Sequence, residues 1–493
     1  VAVGAAYAGS LSFCCMKHVG MNVASDALMT LTLTGVAGGL VIAVADDVGL
    51  SSSQNEQDSR YWGRFAHLPV LEPADSQEAY EMTKLGYELS ERFQVPVILR
   101  LTTRICHVKA LVTVGERQEH VGAGFKKEPA RWVMTPSGAA RRLPLMFERE
   151  AALKAEAEVS PLNVIEAGSD RRLGFITSGP AYMHVKEAFP EAPVLKLGFS
   201  CPAPIDKCRE LAALCDEVVV VEEVEPLLET ELKAQGIALH GKDILPRIGE
   251  LAPPVLKAAI AKLRGEPVPA VTAVAPMQVF PRPPTMCVAC PHLGVYYTLS
   301  QVRNITIAGD IGCYTLGAGH PWNALDTCIS MGKGRGESDK DKRILAVIGD
   351  STFLHMGMQG LLDIVYNQGN VTVLLLDNRA VGMTGGQNNP GNGLDIHGNE
   401  APRVDFVKLV QALGVKPERV HKVNPYELPV LFKAIREEVK VAEPSVIITD
   451  QPCVLTEAYH KLKPFTVMDD KCTGCGNCVE VGCPAIHVTR REK

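Results

Sequence analysis

Two sets of residues in this sequence have the types and spacing to do chemistry. The first lies in "GDSTFLHMGMQGLLDIVYNQGNVTVLLLDN", Gly349 to Asn378. The apolar run 344–348 would carry Asp350 to a strand tip, a helix of about four turns would follow, and a second strand, 371–376, would carry Asn378 to the neighbouring tip. A carboxylate and an amide oxygen at one sheet edge, with a backbone carbonyl just beyond, are hard donors suited to a Mg²⁺ that also takes two phosphate oxygens. Alone, an Asp there would cap a helix and an Asn would make a turn. Their pairing, and the glycine-rich "AVGMTGGQ" (380–387) that follows, point instead to a metal–diphosphate site.

The second set is cysteine. "KCTGCGNCVEVGCPAI" (471–486) places Cys472, Cys475 and Cys478 at C-x2-C-x2-C spacing, followed by Cys483-Pro484, and such short loops let successive thiolates surround a [4Fe–4S] cluster. Four residues separate Cys478 from Cys483 where the simple ferredoxin pattern has three, a departure that would bend this loop. Because the fourth cysteine of two-cluster modules serves the other cluster, Cys472, Cys475 and Cys478 are firmer ligands of one cluster than Cys483. Zinc also accepts four thiolates, but the Cys-Pro ending favours iron. Cys287 and Cys290 in "CVACPH", Cys313 in "DIGCY" and Cys453 in "QPCVL" form another candidate set, weighed against the ordinary role of cysteine as a small buried residue.

The elements that must position these residues follow from the composition. The chain has 493 residues, 46% of them hydrophobic and 22% charged, enough for roughly three or four packed domains. A net charge of −6, with no arginine-rich arm or lysine cluster, argues against a nucleic-acid partner. The most apolar stretch, "MTLTLTGVAGGLVIAVA" (29–45), is broken by threonines and glycines and ends in Asp46-Asp47. It falls short of the ~20 residues of a bilayer span and reads as a buried helix turning into a buried strand. No charged leader precedes an apolar core, and the 15 cysteines are clustered rather than spread as a disulfide framework. A cytoplasmic protein of a reducing compartment, without a membrane partner, is expected.

Apolar runs alternate with amphipathic stretches, the pattern of parallel α/β domains. "GGLVIAVADD" and "VPVILRLTT" read as buried strands around the helical "SQEAYEMTKLGYELSERF"; "PLMFEREAALKAEAEV" reads as a helix within a linker. "RRLGFITSG", "APVLKLGFS" and "DEVVVVEEVE" are strands of a second domain, and the proline-rich 267–285 an extended connector. "NITIAGDIGC", "RILAVIGDS" and "VTVLLLDNR" each end in Asp or Asn, at the strand ends where ligands of open parallel sheets bind.

Gly349-Asp350 with Asn378 resembles the thiamine diphosphate motif. "DIGCYTLG", "CPHLG", "NALDTCISMG", "MTGGQ", "KHVGMNVASDALMTLTLTGVAGGLVIAVADD" and "SSSQNEQDSRYW" resemble the α subunits of indolepyruvate ferredoxin oxidoreductases, within the 2-oxoacid:ferredoxin oxidoreductase family, over nearly the whole chain. The resemblance implies an α/β protein with two thiamine-diphosphate-binding-type domains and a transketolase C-terminal-like domain, plus a small C-terminal ferredoxin-like module. The segments would be 1–111 (pyrimidine-binding type), 112–170 (linker with helix), 171–266 (transketolase C-terminal-like), 267–464 (diphosphate and Mg²⁺ binding) and 465–493 (4Fe–4S module). It implies oxidative decarboxylation of aryl-2-oxo acids, indolepyruvate among them, to the aryl-acetyl-CoA, with coenzyme A as co-substrate, a smaller β subunit as partner and ferredoxin as electron acceptor. The cofactor acts as the electron sink while CO₂ departs, and the clusters take the electrons singly.

Carried over by position, Asp350, Asn378 and the Ala380 carbonyl would hold Mg²⁺. Gly349, Ser351, Thr384, Gly385 and Gly386 would line the cofactor, and Cys287, Cys290, Cys313 and Cys453 would hold a proximal [4Fe–4S] cluster. His18 in "KHVGMN" and His292 in "CPHLG" could donate to a bound oxo acid or be structural. The activating glutamate of the family has no match: residues 1–55 contain none, and Glu56 lies in the loop "SQNEQD". A chain cut short at both ends, and impaired in turnover, is therefore expected. The rival readings are a pyruvate or branched-chain 2-oxoacid ferredoxin oxidoreductase subunit, or a non-catalytic electron-transfer or assembly protein with a decayed diphosphate site.

Overall fold

Runs of aliphatic and β-branched residues without an alternating polar face become strands buried on both sides. The computed structural model describes residues 1–268, 284–329, 344–459 and 466–488, and contains such strands in three sheets. Most of the proline-rich connector lies outside the described residues. The chain divides into two compact units, Val1–Pro276 and Met277–Lys493.

In the first unit, β1 (Ser12–Lys17), β2 (Leu40–Asp46), β3 (Val70–Leu71) and β4 (Val97–Thr102) run parallel in the order β1-β2-β4-β3. The stretch at 29–45 does turn from helix to strand: the helix His18–Thr34 ends at Gly35, whose φ of 70° suits a residue without a Cβ, and β2 follows. The helix Ser76–Phe93 is started by Asp75, whose carboxylate accepts from Glu78 N at 2.8 Å. A second sheet comprises β5 (Asn163–Glu166), β6 (Leu173–Ser178), β7 (Val194–Leu197) and β9 (Glu217–Val221), ordered β5-β7-β6-β9. The intervening β8 (Phe199–Cys201) leaves that sheet and pairs antiparallel with β3. Two features depart from the sequence reading. The linker helix begins at Pro136, not 144, because the Thr135 hydroxyl caps Gly138 N and Pro136 fits a first turn, so the helix runs on through Pro144. The expected linker also contributes β5.

The tips of β2, β3 and β9 converge on a buried ionic network. Arg100 in β4 bonds Asp46 through Nε and Glu72 through Nη1, both at 2.6 Å, while fully buried Arg60 bonds Asp58 at 2.5 Å and Glu222 at 2.7 Å. Removing one partner of such a set leaves uncompensated buried charge. Arg100→Met is therefore expected to lower unfolding free energy by about 3–5 kcal/mol in urea melts, and an unchanged midpoint would contradict the network's role. Although burial works against the charged form of Asp58, Arg100 and Arg60 outweigh it and hold the carboxyl down at about 2. Its contribution is thus present above pH 3.8 and is lost as pH falls toward 2.

Among its described residues the second unit has one six-stranded parallel sheet: β10 (Thr306–Gly309), β11 (Thr327–Cys328), β12 (Ile344–Gly349), β13 (Val371–Asp377), β14 (Val420–Val423) and β15 (Ser445–Asp450), in the order β11-β10-β12-β13-β15-β14. Alternation along β12 sends Leu345 and Val347 to one face, packed with helices Pro291–Gln301 and Leu428–Glu438, and Ile344, Ala346 and Ile348 to the other, packed with Met358–Tyr366 and Phe406–Ala412. No helix among the described residues is long and apolar enough to cross a membrane.

Candidate cofactor and metal site

The register of the central strands sets the site. Gly349 pairs with Leu376 across β12 and β13, so Asp350 and Asn378 leave adjacent tips at the same sheet edge. Gly349 has no alternative: a Cβ there would stand 2.5 Å from the Tyr314 ring. Tyr314, missed in the sequence, is fixed by its hydroxyl, which donates to Asp310 Oδ2 at 2.8 Å and lies 3.2 Å from Thr352 Oγ1. Beyond Asp350 and Ser351 the helix opens into a π turn, Phe353–Gly357, before resuming. Such turns frequently mark functional sites.

Asp350 is 2% exposed. Its carboxyl is answered by amides, Ser351 N at 2.7 Å, Asn389 Nδ2 at 3.4 Å and the Arg379 backbone. Burial, then the neighbouring Asp377, push it up to about 7. A buried carboxyl so disfavoured as an anion is what a divalent cation would relieve. Asn378 is held from two sides: its Nδ2 lies 3.3 Å from His292 Nε2, and its Oδ1 accepts from Ala380 N at 3.3 Å. His292 is buried at the start of the helix Pro291–Gln301, and burial lowers it to about 4, so the neutral ring accepts the amide proton. Ala380 N, which can only donate, sets the oxygen end of Asn378 and so leaves the amide nitrogen toward His292. Ala380 is buried beside it, whereas Thr384, Gly385 and Gly386 stand in an exposed turn in which Thr384 donates to Gln387 Oε1 and both glycines have positive φ. Asn389 is the further residue that sequence reasoning missed; its position before Pro390 was the available signal of a fixed turn.

His18 is placed otherwise. Its buried ring lies 3.3 Å from Ala45 O and 3.0 Å from Asn55 O, so it ties the start of its own helix, His18–Thr34, to the end of β2 and to the loop that follows. Glu56, in that loop, accepts from Gly49 N at 2.7 Å.

The four cysteines of the candidate proximal set come together. Burial first, then the charges of the other three thiols, push Cys290 up to about 12, and Cys313 likewise rises to about 11 through burial and the charges of Cys453 and Cys287. A Cβ on Gly382 would stand 3.3 Å from Cys313 Sγ and 3.7 Å from Cys453 Sγ, so the two sulfurs flank one backbone position that glycine leaves open. Among the described residues no three donors converge on a single ion. In the tail, Cys472, Cys475 and Cys478 are exposed and Cys483 is half-buried.

Residues 292–449 match the C-terminal TPP binding domain of thiamine pyrophosphate enzymes. The chain is 39% identical to indolepyruvate oxidoreductase subunit IorA of Methanothermobacter thermautotrophicus, covering 99% of this chain and 83% of the relative. The subunits of the same name from Thermococcus kodakarensis and Archaeoglobus fulgidus are 36% and 35% identical, with 99% of this chain and 83% and 82% of theirs covered.

Proposed function

Because the chain belongs to the indolepyruvate oxidoreductase subunit IorA family, thiamine-diphosphate-dependent oxidoreductases of 2-oxo acids, we propose that it oxidatively decarboxylates arylpyruvates such as indolepyruvate to the aryl-acetyl-CoA. Coenzyme A would be the acyl acceptor, a smaller β subunit the partner and ferredoxin the electron acceptor. The observation that carries the reading is the pairing of Asp350 and Asn378 at adjacent strand tips within a matched TPP-binding domain, one hydrogen bond from a cysteine set: Cys453 N donates to Asn378 O at 2.8 Å.

The residues present fit Mg²⁺ and a diphosphate. Asp350 would supply the charged donor, Asn378 Oδ1 and the Ala380 carbonyl the neutral ones. Bound there, thiamine diphosphate supplies an electron sink at the keto carbon as CO₂ leaves. His292, neutral and buried, would take the Asn378 N–H, leaving to the metal the lone pair of Oδ1 that Ala380 N does not use. Gly382 leaves room between Cys313 and Cys453, so that Cys287, Cys290, Cys313 and Cys453 would hold a [4Fe–4S] cluster close to the metal ligands. Cys472, Cys475, Cys478 and Cys483 would hold iron in the C-terminal module.

The test is substrate profiling of the assembled enzyme, chain plus partner subunit, with coenzyme A and a one-electron dye or ferredoxin. Indolepyruvate and phenylpyruvate are expected to exceed pyruvate and branched-chain 2-oxo acids in kcat/KM by more than about tenfold, since each added apolar contact discriminates by 1–3 kcal/mol. Preference for pyruvate would overturn the arylpyruvate assignment.

A further inference from the structure

The four-residue spacing between Cys478 and Cys483 has no part in the site described above. In the structure those residues form one helical turn, Asn477–Glu480, and then Val481-Gly482 carries the chain back onto the cofactor sheet. Within 466–488, the run Val481, Gly482 and Cys483 is the longest that is not exposed. Its seat is Trp322. The indole Nε1–H donates to Val481 O at 3.2 Å, and Gly482, with φ of 75°, lies so close that a Cβ would stand 2.3 Å from Trp322 Cζ2. Both the left-handed backbone and the close approach exclude a side chain at that position.

Trp322 is itself rigidly held. It is 7% exposed, its ring centroid lies 6.3 Å from that of fully buried Tyr296, and both belong to an apolar cluster that also contains Cys290 and Tyr314. Val481 and Cys483 pack against this same cluster. One cysteine of each candidate iron–sulfur set therefore belongs to or packs against a single, mainly aliphatic core that includes Tyr296, Tyr314 and Trp322.

We propose that Trp322 and Gly482 form a latch that seats the C-terminal cysteine segment on the cofactor domain, and that the long Cys478–Cys483 spacing exists to make it. The latch seats Cys483 against the same core that contains Cys290, so that clusters held by the two cysteine sets would keep a fixed spacing, with Trp322 as a positioning residue. The cluster spacing rests on the iron–sulfur reading of the proposed function; the latch does not.

Two variants of the full chain test it: Gly482→Ala, which drives a methyl into the indole, and Trp322→Phe, which keeps an aromatic ring but removes the N–H donor. Amide hydrogen exchange across 466–488 is expected to quicken at least about tenfold in Gly482→Ala and by less in Trp322→Phe, with exchange in β12 and β13 unchanged. In the dithionite-reduced parent, paramagnetic resonance should show spin coupling between two clusters, and Gly482→Ala should show two uncoupled signals at the same iron content. Parent-like exchange in Gly482→Ala would overturn the latch. A parent without iron would overturn the iron–sulfur reading and the cluster spacing, while the exchange result would still decide the latch.

Discussion

Asp350→Ala is expected to weaken Mg²⁺-dependent binding of thiamine diphosphate by more than about 100-fold, measured by calorimetric titration, since loss of a mere outer-shell partner already costs 10–100-fold. One feature makes the loss specific rather than a sign of unfolding. With its pKa raised to about 7 by burial and Asp377, Asp350 favours the folded state below pH 3.8 and loses that advantage as pH rises through 7. Above pH 7 the ionised side chain is a liability in the metal-free chain, so its removal offsets the packing lost. The metal-free variant should therefore stay within about 1–2 kcal/mol of the parent in urea melts at pH 8. His292→Ala, which releases the amide of Asn378 but removes no ligand, is the graded control, expected within that 10–100-fold range. Equal binding by parent and Asp350→Ala would remove this residue from the metal site.

The second large effect concerns the electrons. Cys453→Ser is expected to lower iron by about four atoms per chain and to reduce ferredoxin reduction by the assembled enzyme more than about 100-fold, because a two-electron donor is left without a neighbouring one-electron acceptor. Magnesium and thiamine diphosphate should still bind within about threefold of the parent, since the contact to the metal loop is made by the Cys453 backbone N–H and not by its sulfur. A Cys453→Ser protein with full iron and full electron output would show that the proximal cysteines are packing residues after all.

The sequence carries the α/β class and the strand tips openly. The runs 344–348 and 371–376 are aliphatic stretches, broken only by Thr372, that a doubly covered parallel sheet buries, and each is followed by a residue able to bind. What escapes it depends on partners distant in the chain. Nothing local marks Phe199–Cys201 as a strand of a different sheet from Val194–Leu197, two residues before it; the distinction is made by β3. The Arg60–Glu222 and Arg100–Glu72 bonds likewise join residues whose separate sequence contexts look like ordinary loop and strand. Tyr314 and Asn389 were hidden because aromatic and amide side chains have many structural uses, and only their contacts with Gly349 and Asp350 single them out. His18 and His292 show the same limit from the other side. Both sit in motifs that look alike, yet one ring is held between backbone carbonyls and the other orients Asn378.

Manganese in place of magnesium gives the decisive test of the strand-tip site. With Mn²⁺ and thiamine diphosphate added to the chain, electron–nuclear double resonance is expected to show ³¹P coupling from the diphosphate to the bound ion, and to lose it in Asp350→Ala. A ³¹P coupling that persists unchanged without the Asp350 carboxylate, or an ion that never senses the diphosphate in the parent, would contradict the account.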